Sequence, residues 1–300
     1  MRILILGGDG MLGHKIFQVL ALRFDTFATF RDPKGLWSRF PMYAVADPAC
    51  VLGGVNALDF DSVVRAIARV RPTVVINCIG IIKQLKESQD PIVSLTLNSL
   101  FPHQLADLCD AIGARMFHVS TDCVFSGRKG NYTEDNMPDP EDLYGRTKLL
   151  GEVNRTNCLT VRTSIIGRDF LKRTGLLEWL LANRGGGVKG YKNAIYTGLP
   201  TQVLARIIGD VIEHHPKLSG LYHIASRPIS KYDLLVSIRD ALNLDIEVEP
   251  CDDPPCDRSL NPARFVSDTG HAIPEWAEML AELAADPTPY DEWRKSHATT

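Results

Sequence analysis

The chain has 300 residues, 45% hydrophobic and 23% charged, with a formal net charge of −3 at pH 7. That size and balance fit an enzyme with one large domain, or a nucleotide domain plus a smaller one. They exclude a general nucleic-acid binder, which would show a positive stripe. No stretch reaches the ~18 apolar residues of a membrane span, and the first strand starts at Arg2, leaving no room for a signal peptide. The expected location is the cytoplasm.

Residues 2–6 (RILIL) are continuously apolar, as in a strand at the centre of a parallel sheet. Met11 to Leu22 has helical spacing, and Phe24 to Phe30 reads as a second strand ending at Arg31. Asp59 to Val70 is a helix, Val74 to Ile79 a strand, Asn98 to Ile112 a helix and Arg115 to Val119 a strand. A helix over Asp142 to Asn154 and a strand over Leu159 to Thr163 follow. Strand and helix alternate through residue 165, the signature of an α/β, doubly wound, Rossmann-type parallel sheet.

Beyond that point the pattern loosens. Helices are predicted at Leu176–Leu181, Thr201–His214, Lys231–Leu242 and Pro274–Ala285, with a strand at Leu221–Ile224. Arg184 to Gly187 reads as a turn; Asp252 to Pro255 and the last dozen residues read as surface or frayed. The expected division is a dinucleotide-binding domain over 1–165, joined by 198–225. A substrate lobe then comprises 166–197 and 226–300. The seven cysteines are odd in number and widely spaced, which suits a reduced compartment. Cys251 and Cys256 are too far apart for a metal knuckle, and no metal is expected.

Two constellations carry chemistry. The first strand runs into Gly7-x-x-Gly10-x-x-Gly13 and then a helix, the context of a dinucleotide site. No acidic residue closes the second strand. Arg31 stands there instead, suited to a 2′-phosphate, with Lys34 and Arg39 near it, so NADP(H) is favoured over NAD(H). Asp59 suits either an adenine contact or a helix cap. In the second constellation, Tyr144 and Lys148 stand four apart on a helical face. A neighbouring ammonium is expected to lower the phenol pKa and fit it for proton exchange. Ser120 and Thr121 end a strand upstream, where such a sheet places chemistry. Asn98 suits either a bridge to the active helix or an ordinary cap.

These motifs resemble the extended short-chain dehydrogenase/reductases, and among them the dTDP-4-dehydrorhamnose reductase type. The resemblance rests on the three glycines, Leu58-Asp59-Phe60, Asn98, Ser120-Thr121-Asp122-Cys123-Val124-Phe125-x-Gly127 and Tyr144-Gly-Arg-Thr-Lys148. Gly151-Glu152, Val161-Arg162-Thr163-Ser164 and Gly198-Leu199-Pro200-Thr201 add to it, and it spans roughly residues 1–240. It implies NAD(P)H-dependent reduction of a 4-keto group on a 6-deoxy nucleotide sugar, for surface polysaccharide. By motif position Thr121 polarises the keto oxygen, Tyr144 gives the proton and Lys148 holds the nicotinamide ribose. Expected cofactor contacts are Gly7, Gly10, Met11, Leu12, Gly13, Arg31, Asp59, Phe60, Cys78, Ile79, Gly80, Asn98, Tyr144 and Lys148.

Two departures bear on the sugar. Cys123 stands where rhamnose-type enzymes usually have Tyr, and the loop Ile79 to Gln84 lacks their Ala/Tyr/Thr character. The sugar is therefore expected not to be the rhamnose precursor; the resemblance to related surface-sugar enzymes implies a UDP-linked 2-acetamido-4-keto-6-deoxyhexose instead. Candidate substrate contacts are Lys83, Thr121, Cys123, Tyr144, Lys189 and Tyr191, with Lys192 beside them. The alternatives are a nucleotide-sugar epimerase or dehydratase, and a non-catalytic regulatory subunit. A homodimer is compatible with the sequence.

Overall fold

The computed structural model describes residues 1–32, 40–44, 46–83, 86–171 and 173–297. Lys34, Arg39 and Gln84 lie outside the described residues. The first half runs β1 (Arg2–Leu6), α1 (Met11–Leu20), β2 (Asp25–Thr29), α2 (Pro41–Ala44), β3 (Val51–Leu52) and α3 (Phe60–Val70). It continues with β4 (Val74–Asn77), α4 (Pro91–Ser94), α5 (Phe101–Ala111), β5 (Arg115–Val119), α6 (Leu143–Leu150) and β6 (Cys158–Arg162). Next come β7 (Ile165–Ile166), α7 (Leu176–Ala182), β8 (Gly187–Tyr191), β9 (Ala194–Tyr196), β10 (Leu199–Pro200) and α8 (Thr201–His214). Last are β11 (Gly220–His223), β12 (Ile229–Ser230), α9 (Lys231–Ala241), β13 (Glu247–Cys251), β14 (Cys256–Asp257), α10 (Ala263–Thr269), α11 (Trp276–Ala284) and α12 (Tyr290–His297).

The central sheet has the order β11-β6-β5-β4-β1-β2-β3, every neighbouring pair parallel. The chain winds outward from β1 to β3, then restarts at β4 on the other side of β1. Ligands bind beyond the strand ends at such a reversal. The loops after β1, β4 and β5 meet there.

Strand periodicity divides the core. Ile3 and Ile5 point to the face covered by α1 and α8, with Ile16, Leu20, Val203 and Ile207. Leu4 and Leu6 point to the opposite face, covered by α3 and α5 through Val63, Ile67, Phe101 and Leu105. All twelve side chains are fully buried or nearly so, each contributing about 1.5–3 kcal/mol. The lobe has its own core of Leu177, Leu180, Leu234, Ile238, Val248 and Leu280 from α7, α9, β13 and α11.

Three expectations need correction. The helical run before β5 starts at Pro91 rather than Asn98: Asp90 caps it, and a π-helical stretch, Leu95–Leu100, joins α4 to α5. The Tyr/Lys helix stops at Leu150 rather than Asn154. A Cβ on Gly151, the next residue, would lie 1.8 Å from the Asn98 carbonyl oxygen, so the chain must turn where it meets that segment. The C-terminal residues are not frayed through 297. Tyr290 and Trp293 of α12 are buried, in the core that contains α1 rather than in that of the lobe.

Candidate functional site

The glycine loop is built as its spacing predicts. Gly7 has φ +87°, a left-handed conformation that favours glycine. Thr29 of β2 holds the loop, its hydroxyl accepting from Gly7 N (3.2 Å) and its carbonyl from Gly8 N (2.8 Å). A Cβ on Gly13 would fall 2.0 Å from the Gly7 carbonyl oxygen. A Cβ on Gly10 would meet its nearest protein atom at 3.5 Å; glycine there keeps the backbone accessible to a ligand rather than relieving an internal clash. Helix α1 has no side-chain cap and no acidic residue in its first turn, so its free N–H groups and positive end suit a diphosphate. The expected result for Gly13→Ala is a loss of about 1–3 kcal/mol in stability, together with loss of dinucleotide binding. Denaturant unfolding and cofactor titration check both.

Two residues support the loop from outside the motif. The buried Tyr43 hydroxyl donates to the Gly8 carbonyl at 2.7 Å. The His14 ring bonds the Gly10 carbonyl at 2.8 Å.

The chemistry-bearing residues gather at the ends of β4 and β5. Thr121 follows β5, opens a short 3₁₀ turn and accepts from Cys123 N at 3.2 Å. Helix α6 presents Tyr144 and Lys148 one turn apart; Asp142 fixes its start by accepting from Gly145 N at 2.8 Å. Gly145 allows close docking, since a Cβ there would lie 2.2 Å from the Cys123 carbonyl oxygen. Burial pushes the Tyr144 phenol above its ordinary range, Cys123 adds to this, and a hydrogen bond with Thr121 opposes it. The depression expected from Lys148 is not found. The Lys148 ammonium is buried and donates to the Val119 carbonyl at 2.8 Å. Burial lowers its pKa to about 8, with Glu152 and Cys78 acting in the opposite direction.

Asn98 bridges rather than caps. Its Oδ1 accepts from Ile81 N (2.9 Å), while Nδ2 donates to the Ile81 carbonyl (3.1 Å) and the Thr147 hydroxyl (3.2 Å). It therefore ties the loop after β4 to the Tyr/Lys helix. That loop holds Cys78, Ile79 and Gly80; a Cβ on Gly80 would lie 3.1 Å from Asn98 Oδ1 and 4.0 Å from Lys148 Nζ. Burial pushes the Cys78 thiol up to about 12, so it is a neutral wall of the site.

Other predicted residues lie farther out. Arg31 is exposed just beyond β2. Asp59 stands at the start of α3 without capping it; its carboxylate is 58% exposed and 3.5 Å from Arg65, leaving it accessible to a ligand. Phe60 is the first residue of α3. Met11 and Leu12 form the first turn of α1. Lys83 pairs with Asp142 at 2.7 Å and so joins the loop after β4 to the start of α6. Lys189 and Tyr191 stand on β8 of the lobe, paired with β13, Lys189 exposed and Tyr191 half-buried.

Sequence reasoning missed Arg258. It follows β14, donates from Nε to the Phe125 carbonyl (2.8 Å) and brings Nη1 to 3.7 Å from Cys123 Sγ. The lobe thus delivers a guanidinium to the loop that bears Thr121. Behind that loop, Ser120 donates to Glu152 at 2.7 Å, and Arg162 grips both Glu152 oxygens at 2.8 and 2.7 Å.

A glycine loop at the sheet reversal, beside a strand-end Thr and a helical Tyr/Lys pair, defines an NAD(P)-dependent oxidoreductase of the short-chain dehydrogenase/reductase type. The family model described as RmlD substrate binding domain matches residues 1–286, and the chain belongs to that family. Curated relatives include dTDP-4-dehydrorhamnose reductase of Mycolicibacterium smegmatis, 28% identical over 314 residues, covering 98% of this chain and 83% of that one. Methionine adenosyltransferase 2 subunit beta of Xenopus tropicalis is 28% identical over 261 residues, covering 81% of this chain and 72% of its own. The crystal structure of a hypothetical dTDP-4-dehydrorhamnose reductase from Sulfolobus tokodaii superposes with a TM-score of 0.73 at 25% identity, covering 89% of this chain and 94% of that chain. No helix among the described residues is long and apolar enough to cross a membrane.

Proposed function

We propose that this chain uses NADPH to reduce the 4-keto group of a 6-deoxy-4-keto nucleotide sugar, with a UDP-linked 2-acetamido sugar as the favoured substrate. The observation that carries this reading is the close docking of the Tyr144/Lys148 helix on the loop after β5 that bears Thr121, at the sheet's carboxyl edge. The glycine cradle fits a dinucleotide: Gly7 and Gly13 cannot be replaced without strain or clash, and Gly10 leaves its backbone open. Gly7, Gly10, Met11, Leu12 and Gly13 would hold the diphosphate. Arg31 and Asp59 would flank the adenosine, Arg31 favouring a 2′-phosphate. Cys78, Ile79 and Gly80 would line the nicotinamide side, where Asn98 fixes the loop.

When bound, the reduced nicotinamide supplies a hydride to the sugar C4. Thr121 donates a hydrogen bond to the keto oxygen and polarises it. As the C–H bond forms, the carbonyl π pair moves to oxygen and Tyr144 delivers its proton there. Burial keeps the phenol protonated throughout the neutral range, and the alkoxide forming at C4 is the stronger base that takes its proton. Lys148 binds the nicotinamide ribose and offsets the phenolate left behind. Arg258 offers a cation to the substrate's acceptor oxygens on the lobe side, and Cys123 leaves room where a larger side chain would narrow the sugar site.

The test is a panel of UDP- and dTDP-linked 4-keto-6-deoxy sugars with NADPH and NADH, products read by NMR. NADPH oxidation with a UDP-2-acetamido sugar is expected. Copurified NAD with isomerisation and no net oxidation would instead indicate an epimerase. The subunit beta relative raises a second reading, a regulatory subunit; turnover on none of the panel, with a stable complex to another enzyme, would favour it.

The Lys148 ammonium also sets a pH dependence. Its pKa near 8 in the free chain means the cation is present below that value and lost as pH rises through it. The expected kcat/KM falls above about pH 8, since that ratio follows the free enzyme's ionisations. In Lys148→Met this limb should disappear from the profile along with most of the activity.

A further inference from the structure

The C-terminal residues beyond 286 lie outside the matched family region, yet they are anchored on the glycine-loop helix. Thr288 accepts from Lys15 Nζ at 2.9 Å and from Gln18 at 3.1 Å, and Asp286 pairs with Lys15 at 2.6 Å. Trp293 stacks on Phe40, with ring centroids 5.0 Å apart and planes 12° from parallel. The Tyr290 hydroxyl lies 2.7 Å from His14 Nε2, in a buried contact.

The protons on this last contact can be assigned. The Gly10 carbonyl can only accept, so His14 Nδ1 bears the hydrogen and donates to it. Burial keeps the ring neutral, with its pKa lowered to about 4. Nε2 is then an acceptor, and the Tyr290 hydroxyl donates to it. The Gly10 carbonyl shares a planar peptide unit with the Met11 N–H. His14 holds that carbonyl back toward α1 twice, through its backbone N–H at 3.2 Å and, more closely, through its ring, which turns the Met11 N–H the other way, out of the helix's first turn. Met11 is the first residue of α1, so its N–H has no partner within the helix.

We propose that the C-terminal segment is a positioning element for the dinucleotide loop: through Tyr290 and His14 it orients the Gly10–Met11 peptide so that the Met11 N–H faces the cofactor's diphosphate. This rests on the dinucleotide reading of the loop. Tyr290 and His14 are positioning residues, because neither needs to touch the cofactor. The remaining tail contacts, through Thr288 and Trp293, hold Tyr290 in register.

The experiment compares binding by the intact chain with that by two variants, using NADPH and 2′-AMP as probes at a temperature well below melting. Tyr290→Phe removes the hydroxyl but keeps the ring, and should weaken NADPH about fivefold. It should leave 2′-AMP, which lacks the diphosphate, unchanged. Gln18→Leu removes one bond to Thr288 while Thr288, Tyr290 and His14 all remain; it should lower the melting temperature with little change in NADPH affinity. Equal NADPH affinity in Tyr290→Phe and the intact chain, or an equal loss for 2′-AMP, overturns the proposal while leaving the dinucleotide reading intact. Failure of the intact chain to bind either NADPH or NADH overturns both.

Discussion

Tyr144→Phe is expected to lower turnover by about 10²–10⁴-fold, with NADPH affinity nearly unchanged. The phenyl ring would still fill the place on α6, against the loop that Gly145 lets approach. What would disappear, under the proposed mechanism, is the proton donor for the keto oxygen. Thr121→Val should also reduce turnover, but less, because it removes polarisation and leaves the proton donor. Steady-state rates with saturating NADPH, together with cofactor titration, separate the two effects. Unchanged turnover in Tyr144→Phe would remove the phenol from the reaction.

The second large effect is on stability. Arg162 is 2% exposed and holds both oxygens of Glu152. Arg162→Met would leave that carboxylate unpaired against the sheet, a loss of about 3–5 kcal/mol. The double variant Arg162→Met/Glu152→Gln should recover much of it, because no uncompensated charge remains. Activity should fall as well. Lys148 grips the Val119 carbonyl, Glu152 grips the Ser120 hydroxyl, and Thr121 is the next residue. Two successive residues at the end of β5 are thereby held from α6 and its exit, which sets the direction in which Thr121 projects. Urea unfolding of the single and double variants measures the coupling; a single variant as stable as the unaltered chain would mean that the pair contributes nothing to the fold.

Six of the sheet's seven strands were legible as short runs with apolar residues at their centre, and each covering helix shows one apolar face; the two-residue β3 is too short to give a pattern. The turn of the glycine loop and the placement of Thr121 beside the Tyr144/Lys148 helix were legible because they depend on local spacing. Asn98 was placed in the right neighbourhood with the wrong helix start. The π-helical stretch Leu95–Leu100 shifts the side-chain phase and hides the continuity from Pro91, although Asp90-Pro91 is a proper start signal. The Tyr144 pKa went the other way because burial, which a sequence does not display, is the largest influence on it. Arg258 comes from an irregular segment of the lobe, so no periodicity marks it. In α12, Tyr290 and Trp293 sit among polar residues and look surface-like; they are buried because Phe40 and Phe170, remote in sequence, provide their partners.

Hydride delivery to the sugar is tested most directly with NADPH carrying deuterium at the nicotinamide C4, on the transferred side, and a UDP-linked 2-acetamido-4-keto-6-deoxy sugar. The expected result is one equivalent of deuterium at the sugar C4 for each NADPH oxidised, with the new hydroxyl proton drawn from solvent through Tyr144. A product without the label at C4, or no oxidation by a chain that binds NADPH tightly, would contradict a ketoreductase site at Thr121 and Tyr144.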